Sequence, residues 1–233
     1  MRIAVIQFPG SNCDYDVVYV LKNVLGVPTD LVWHKFFKNN FYDAVILPGG
    51  FSYGDYLRSG AIASHSPAMD EVRKMAKDGR PILGICNGFQ ILIEAGLLPG
   101  ALLPNDCLRF VCKWVTLKCE TNKTAFTSLI PEGKLLHIPI AHKEGRYFNT
   151  KEELKRMKKG QQIVFRYVDE NGKITSKANP NGSVENIASV CNPKGNVVGL
   201  MPHPERASEK ILSPYKDNDG LLLFESMIRF LKC

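Results

Sequence analysis

The sequence predicts an open α/β fold with a mostly parallel sheet and a small antiparallel β section. Three observations carry this expectation. Over the first 96 residues, short apolar runs alternate with amphipathic stretches of helical period. Between residues 108 and 201, strand-like segments follow one another without long intervening helices. A glycine-flanked cysteine, Cys86, sits where one of the early apolar runs gives way to a helical pattern.

The elements follow in order. Residues 2–8 form a bounded apolar run that reads as a buried strand, and 14–25 read as an amphipathic helix. Residues 29–33 and 44–47 are the second and third strands, the latter ending in Pro48-Gly49-Gly50. Residues 61–77 read as one long helix, and the strand at 81–85 with the helix after it completes a series of parallel βαβ type. Strands are expected near 108–119, 134–140 and 162–168, and at 187–191 and 197–201, where the turn-rich Asn192-Pro193-Lys194-Gly195-Asn196 makes a hairpin connection. Residues 151–159 mix charge signs like a short surface helix, and 219–231 close the chain as an amphipathic helix. The stretches at 171–173 and 179–182 read as loops, so residues 1–233 are expected to form a single domain.

Composition narrows the function. A chain of 233 residues, 45% of them hydrophobic, can bury one substantial core. No run approaches the roughly 20 apolar residues of a membrane span, and Met1-Arg2-Ile3-Ala4-Val5-Ile6 is too abrupt for a signal peptide, so a cytoplasmic protein is expected. The seven cysteines are odd in number and scattered, which argues against a disulfide framework; no Cys-x-x-Cys pair exists, so no metal site is expected either. The net charge of +7 comes without a recognition motif or aromatic-basic platform, so nucleic acid is not expected; a negatively charged partner protein or phosphate-bearing substrate fits as well.

The segment Gly84-Ile85-Cys86-Asn87-Gly88-Phe89-Gln90 has the form of a nucleophile elbow. Its glycines permit a sharp strand-to-helix turn, which exposes the thiol at the carboxyl edge of the sheet, and the helix N-terminus favours the thiolate. A small buried cysteine on a tight turn is the alternative. A nucleophile needs a base, and His203 in Met201-Pro202-His203-Pro204-Glu205 is the best placed of five histidines. Pro204 biases His203 towards extended backbone, in which residues two apart point to the same side, so Glu205 can orient the imidazole. The competing reading is a solvent-exposed loop. The backbone N–H groups of Gly50 and Asn87 are candidates for an oxyanion hole. Cys13 has no sequence-evident base, and His142 with Glu144 reads as a hydrogen-bonded loop pair; both are taken as structural or interface features.

The elbow together with Pro202-His203-Pro204-Glu205 resembles the class I (triad) glutamine amidotransferases. Phe8-Pro9-Gly10-Ser11-Asn12-Cys13-Asp14, the segment from Pro48 to Ala61, and Pro139-Ile140-Ala141-His142 with Glu144-Gly145-Arg146-Tyr147 resemble more narrowly the glutaminase subunits of phosphoribosylformylglycinamidine synthase, a purine-biosynthetic enzyme. One departure is Lys143, where that family usually has glycine. The resemblance implies a flavodoxin-like sheet with helices on both faces. It also implies glutamine hydrolysis through Cys86, His203 and Glu205, with Gln90 helping to hold the substrate. No cofactor is implied in this chain: ATP and Mg would belong to a large synthetase partner, accompanied in split enzymes by a small bridging subunit. The loops at 53–58 and 142–147, with Arg58 and Arg146, would form an interface on which activity depends. A different cysteine-elbow α/β hydrolase, or an amidotransferase subunit with another acceptor, leaves the segment at 48–61 unexplained. A non-catalytic regulatory subunit would not need an intact Cys, His and Glu.

Overall fold

The computed structural model describes residues 1–232, and Cys233 lies outside them. In chain order the strands and helices are β1 (Ile3–Gln7), α1 (Asp14–Tyr19), β2 (Thr29–Trp33), β3 (Ala44–Leu47), α2 (Pro67–Lys77), β4 (Ile82–Ile85) and α3 (Asn87–Glu94). There follow β5 (Ala101–Leu103), β6 (Val111–Cys119), β7 (Leu135–His142), β8 (Arg146–Phe148), α4 (Lys151–Lys159), β9 (Ile163–Val168), β10 (Ile187–Cys191), β11 (Val197–Leu200) and α5 (Leu221–Phe230). Nine strands form one sheet in the order β2-β1-β3-β4-β11-β10-β9-β6-β7, and β5 pairs with β8 in a separate two-stranded sheet.

The large sheet changes character at β11. Pairings from β2 through β1, β3 and β4 to β11 are parallel, and every pairing beyond is antiparallel. Sequence pattern explains the division. All four residues of β3 and of β4 are buried, as expected of central strands covered on both faces, whereas β7 alternates buried and half-buried positions like a strand packed mainly on one. The parallel half brings the carboxyl ends of β1, β3, β4 and β11 to one edge, where open α/β sheets place their ligands.

The structure departs from the sequence reading at several points. The expected helix over 61–77 is broken: residues 63–65 make a 3-10 turn, Ser66 is extended (φ −65°, ψ 146°), and α2 starts at Pro67. Proline disfavours helical backbone in the residue before it and lacks the N–H that a continuing helix would need, so Ser66 becomes a cap, its hydroxyl accepting from the Ala68 N–H at 3.3 Å. The helix expected over 14–25 is α-helical only to Tyr19 and widens to a π-helix over Val20–Val24. The small antiparallel section that the sequence predicts is present as the β5–β8 ladder, but its strands lie outside the segments that read as strands. The hairpin of β10 and β11 and the surface helix α4 stand where the sequence placed them; α4 buries only Leu154 and Met157 and is capped by Thr150. Among the described residues no helix is long and apolar enough to cross a membrane.

Candidate active site

Cys86 joins β4 to α3 in a backbone conformation of φ 49° and ψ −103°. An L-residue pays on the order of 1–3 kcal/mol to sit there, and the surrounding packing must hold it. Two bonds fix the turn: the Cys86 N–H donates to Leu200 O at 2.8 Å, and Gln90 N–H donates to Cys86 O at 3.1 Å. The flanking glycines are required by proximity. A Cβ on Gly88 would fall 2.0 Å from Leu47 O, and one on Gly84 would fall 2.7 Å from the Gly88 carbonyl, so α3 could not approach β3 and β4 with larger residues. The Cys86 side chain is buried at 5% exposure, with Sγ 3.7 Å from Ala141 O.

His203 follows β11 and is anchored to the neighbouring antiparallel region, its N–H donating to Pro139 O at 2.8 Å. Its backbone is non-helical (φ −107°, ψ 88°), as Pro204 demands, but residues 204–207 then wind into a 3-10 turn instead of continuing extended. His203 and Glu205 therefore meet across a turn, with Nδ1 to Oε1 at 2.6 Å and both residues 2% exposed. Burial alone would push the His203 pKa down, but the charge of Glu205, with contributions from the Cys86 and Cys13 sulfurs, holds it well above 6.5. With Nδ1 occupied by Glu205, Nε2 is the free ring nitrogen, buried and without a hydrogen-bond partner.

Cys86 opens into a cavity of about 310 Å³ that Gly50, Gln90, Asp55, Ser59 and Glu144 also line. Gly50 has φ 151°, and a Cβ on it would fall 2.6 Å from Gly10 O. Its bridge to Ser11 uses the N–H groups of Phe51 and Asn12, not its own. Asn87 opens α3, where backbone N–H groups lack helical acceptors, and its side chain accepts from Ser52 N–H at 3.2 Å and donates to Gln90 Oε1 at 2.9 Å. Gln90 in turn donates to Glu144 O at 2.7 Å, which ties the elbow helix to the loop after β7.

The cavity also holds groups the sequence reading passed over. Ser59 donates to Glu144 Oε2 at 2.8 Å. Burial pushes the Asp55 carboxyl up to about 6, with the Glu144 charge adding to the effect and a Ser59 hydrogen bond opposing it. The expected pairing of His142 with Glu144 is not formed: His142 is buried against Asn105 (Nδ1 to Oδ1, 3.1 Å) and Asn181 (3.4 Å), because Glu144 turns to Ser59. Lys143 is exposed and is not among the residues with positive φ, so the side chain replaces glycine without backbone strain. Arg58 forms an ion pair with Glu94 at 2.5 Å, and Tyr56 and Leu57 beside it are 75% and 87% exposed. Arg146 lies in β8 and is half-buried.

Cys13, for which the sequence shows no base, lies beside the His203–Glu205 pair. Ligand-type atoms of Cys13, His203 and Glu205 fall within 4.8 Å of one another. A cation there would have to displace the Arg206 guanidinium, whose Nη2 donates to Cys13 Sγ at 3.1 Å, so the cluster is unsuited to a metal. A second such group, His137, Asp217 and Asp219, is internally bonded: Asp217 takes His137 Nδ1 at 2.8 Å and Asp219 takes the His137 N–H at 2.9 Å.

The chain is similar to known proteins along almost its whole length. The phosphoribosylformylglycinamidine synthase subunit PurQ of Methanosarcina barkeri is 53% identical over 231 residues, covering 99% of this chain and 98% of that one. The protein of the same name from Aquifex aeolicus is 53% identical over 228 residues, covering 98% and 99%. Among solved structures, a chain of PurLQS from Thermotoga maritima superposes with a TM-score of 0.86 at 45% identity, covering 99% of this chain and 98% of that chain. Residues 1–231 match the family described as CobB/CobQ-like glutamine amidotransferase domain, and this chain belongs to it.

Proposed function

We propose that this chain is the glutaminase subunit of a phosphoribosylformylglycinamidine synthase, with Cys86 as nucleophile, His203 as acid and base, and Glu205 as its orienter. The observation that carries the assignment is the 2.6 Å contact between His203 Nδ1 and Glu205 Oε1, buried beside a cysteine held at φ 49°. The Cys86 sulfur attacks the carboxamide carbon of glutamine, and the N–H groups of Gly50 and Asn87 stabilise the oxyanion. His203 Nε2 passes a proton to the departing nitrogen, the C–N bond breaks, and ammonia leaves behind a glutamyl thioester. Water, deprotonated by His203, then attacks the thioester and releases glutamate and the Cys86 thiol.

Asp55 and Glu144 supply negative charge to the same cavity and suit the α-ammonium of the substrate, while Gln90 braces the wall that Glu144 belongs to. Ammonia passes to a large synthetase subunit, which holds the ATP and Mg and converts formylglycinamide ribonucleotide to formylglycinamidine ribonucleotide; a small bridging subunit completes the assembly. The solved PurLQS assembly supports these partners. This chain then works as one domain, without a cofactor of its own, in the cytoplasm. The loops at 53–58 and 142–147 reach from the cavity to the surface and form the conditional interface, so charge reversal at Arg58 or Arg146 should weaken assembly without unfolding the chain.

The deciding experiment compares glutamate release by wild type and Cys86→Ala, each alone and with synthetase, bridging subunit, ATP and acceptor. Cys86-dependent release that rises with partners supports the reading. A complex that uses added ammonia but shows no Cys86-dependent hydrolysis would make this chain a regulatory subunit.

A further inference from the structure

Cys13 ends the loop after β1, and its N–H donates to Gly49 O at 3.2 Å, which draws that loop against the turn after β3. The contact brings its sulfur to the imidazole. A Cβ on Gly49 would fall 2.8 Å from His203 Cε1 and 3.1 Å from Cys13 Sγ, so the ring edge and the sulfur border the same side-chain-free space. Cys13 is 2% exposed, and its thiol lies 3.6 Å from Asn12 Oδ1. Arg206, the residue after Glu205, reaches back with Nη2 to the sulfur at 3.1 Å and approaches Asp16 with Nε at 4.0 Å. A cysteine that only fills space has no need of a guanidinium donor.

We propose that Cys13 and Arg206 form a positioning pair for the His203–Glu205 dyad: Arg206 holds the Cys13 sulfur beside the Cε1–Nδ1 edge of the ring, so that Nε2 stays aligned on Cys86. One hydrogen bond from Nδ1 leaves the imidazole free to rock about the bond axis. A fixed sulfur at the adjoining edge restricts that motion. The sulfur also adds to the forces that favour a protonated ring, and Cys13 raises the Arg206 pKa in turn, after burial has lowered it. Neither residue touches the reacting atoms, so both act through His203. The inference rests on the glutaminase reading above.

The test measures glutamine hydrolysis in the reconstituted complex for wild type, Cys13→Ala, Cys13→Ser and Arg206→Gln, with ammonia-dependent synthesis as the control for folding and assembly. A misaligned base should cost Cys13→Ala about 10- to 100-fold in kcat with KM unchanged. The alkaline limb of its pH–rate profile should move to lower pH, because a contact that favours the imidazolium is gone. Cys13→Ser, which keeps an acceptor for Arg206, should recover part of the rate, and the Arg206→Gln and Cys13→Ala effects should be less than additive when combined. If Cys13→Ala does not assemble, the serine and Arg206 variants carry the same readout. A kcat within threefold of wild type and a superimposable pH profile in the variants that assemble would overturn the inference alone. A wild type without Cys86-dependent hydrolysis would overturn the glutaminase reading and this inference with it.

Discussion

Nδ1 of His203 stands 2.6 Å from Oε1 of Glu205, with both side chains closed off from solvent. Their separation sets the tautomer, because only a ring protonated at Nδ1 can donate to the carboxylate. Glu205→Gln preserves the shape of the contact and removes its charge. The expected result is a fall in glutamine-dependent kcat of about a thousandfold or more, with the alkaline limb of the pH–rate profile shifted to lower pH. Ammonia-dependent synthesis by the complex should persist. Hydrolysis within tenfold of wild type would remove Glu205 from the assigned role.

The backbone of Cys86 predicts a conflict between stability and activity. At φ 49° and ψ −103° glycine is the residue that fits without strain, yet the position carries a thiol. Cys86→Gly should therefore be about 1 kcal/mol more stable than Cys86→Ala after the added unfolded-state entropy of glycine is counted, while both lack glutaminase activity. Urea unfolding of the two variants makes the comparison. An alanine variant as stable as the glycine one would mean that the elbow stores no strain.

The parts of this site that sequence made legible are those fixed over short distances. Two glycines and a cysteine between an apolar run and a helix specify the elbow, and Pro204 restricts His203 whatever lies around it. The same locality explains what was missed. Cys13 and Arg206 are 193 positions apart and meet only because β1 and β11 both end on the same sheet edge. Asp55 sits in a loop whose shape depends on positive φ at Tyr53, Asp55 and Leu57, which no periodicity reports. The break before α2 was readable from Ser66-Pro67, but the apolar spacing on either side hid it. The β5–β8 ladder joins strands of three residues, too short for an alternating pattern to declare itself.

The cavity's acidic wall makes substrate binding sensitive to pH. With the Asp55 carboxyl pushed up to about 6, it is ionised at neutral pH and becomes protonated as the pH falls below that value. A neutral carboxyl no longer attracts the α-ammonium of glutamine, so KM should rise as pH drops through 6 while kcat follows the triad. Asp55→Asn should raise KM about 10- to 100-fold, the value of one charge-assisted hydrogen bond, and flatten its pH dependence. Steady-state kinetics between pH 5 and 8 give the answer. A wild-type KM constant across that range would dismiss the contact.

His142 predicts an acid-side loss of stability that is separate from catalysis. Its Nδ1–H donates to Asn105 Oδ1 while Nε2 faces the Asn181 amide nitrogen, whose own oxygen accepts from Ser183. That network suits the neutral ring, because a proton on Nε2 would confront a donor. Burial lowers the His142 pKa to about 4, and the charge on His203 adds to the effect. Between pH 6.5 and 4 the unfolded chain therefore binds a proton at this position that the folded chain refuses, so stability falls as pH drops across that window and levels off below it. The loss amounts to roughly 3 kcal/mol from this group. His142→Gln should show a shallower dependence by about 1.4 kcal/mol per pH unit within the window, measured as the difference in denaturant unfolding free energy against wild type. Parallel stability curves for the two proteins would mean that His142 becomes charged in the native state as readily as in the unfolded one.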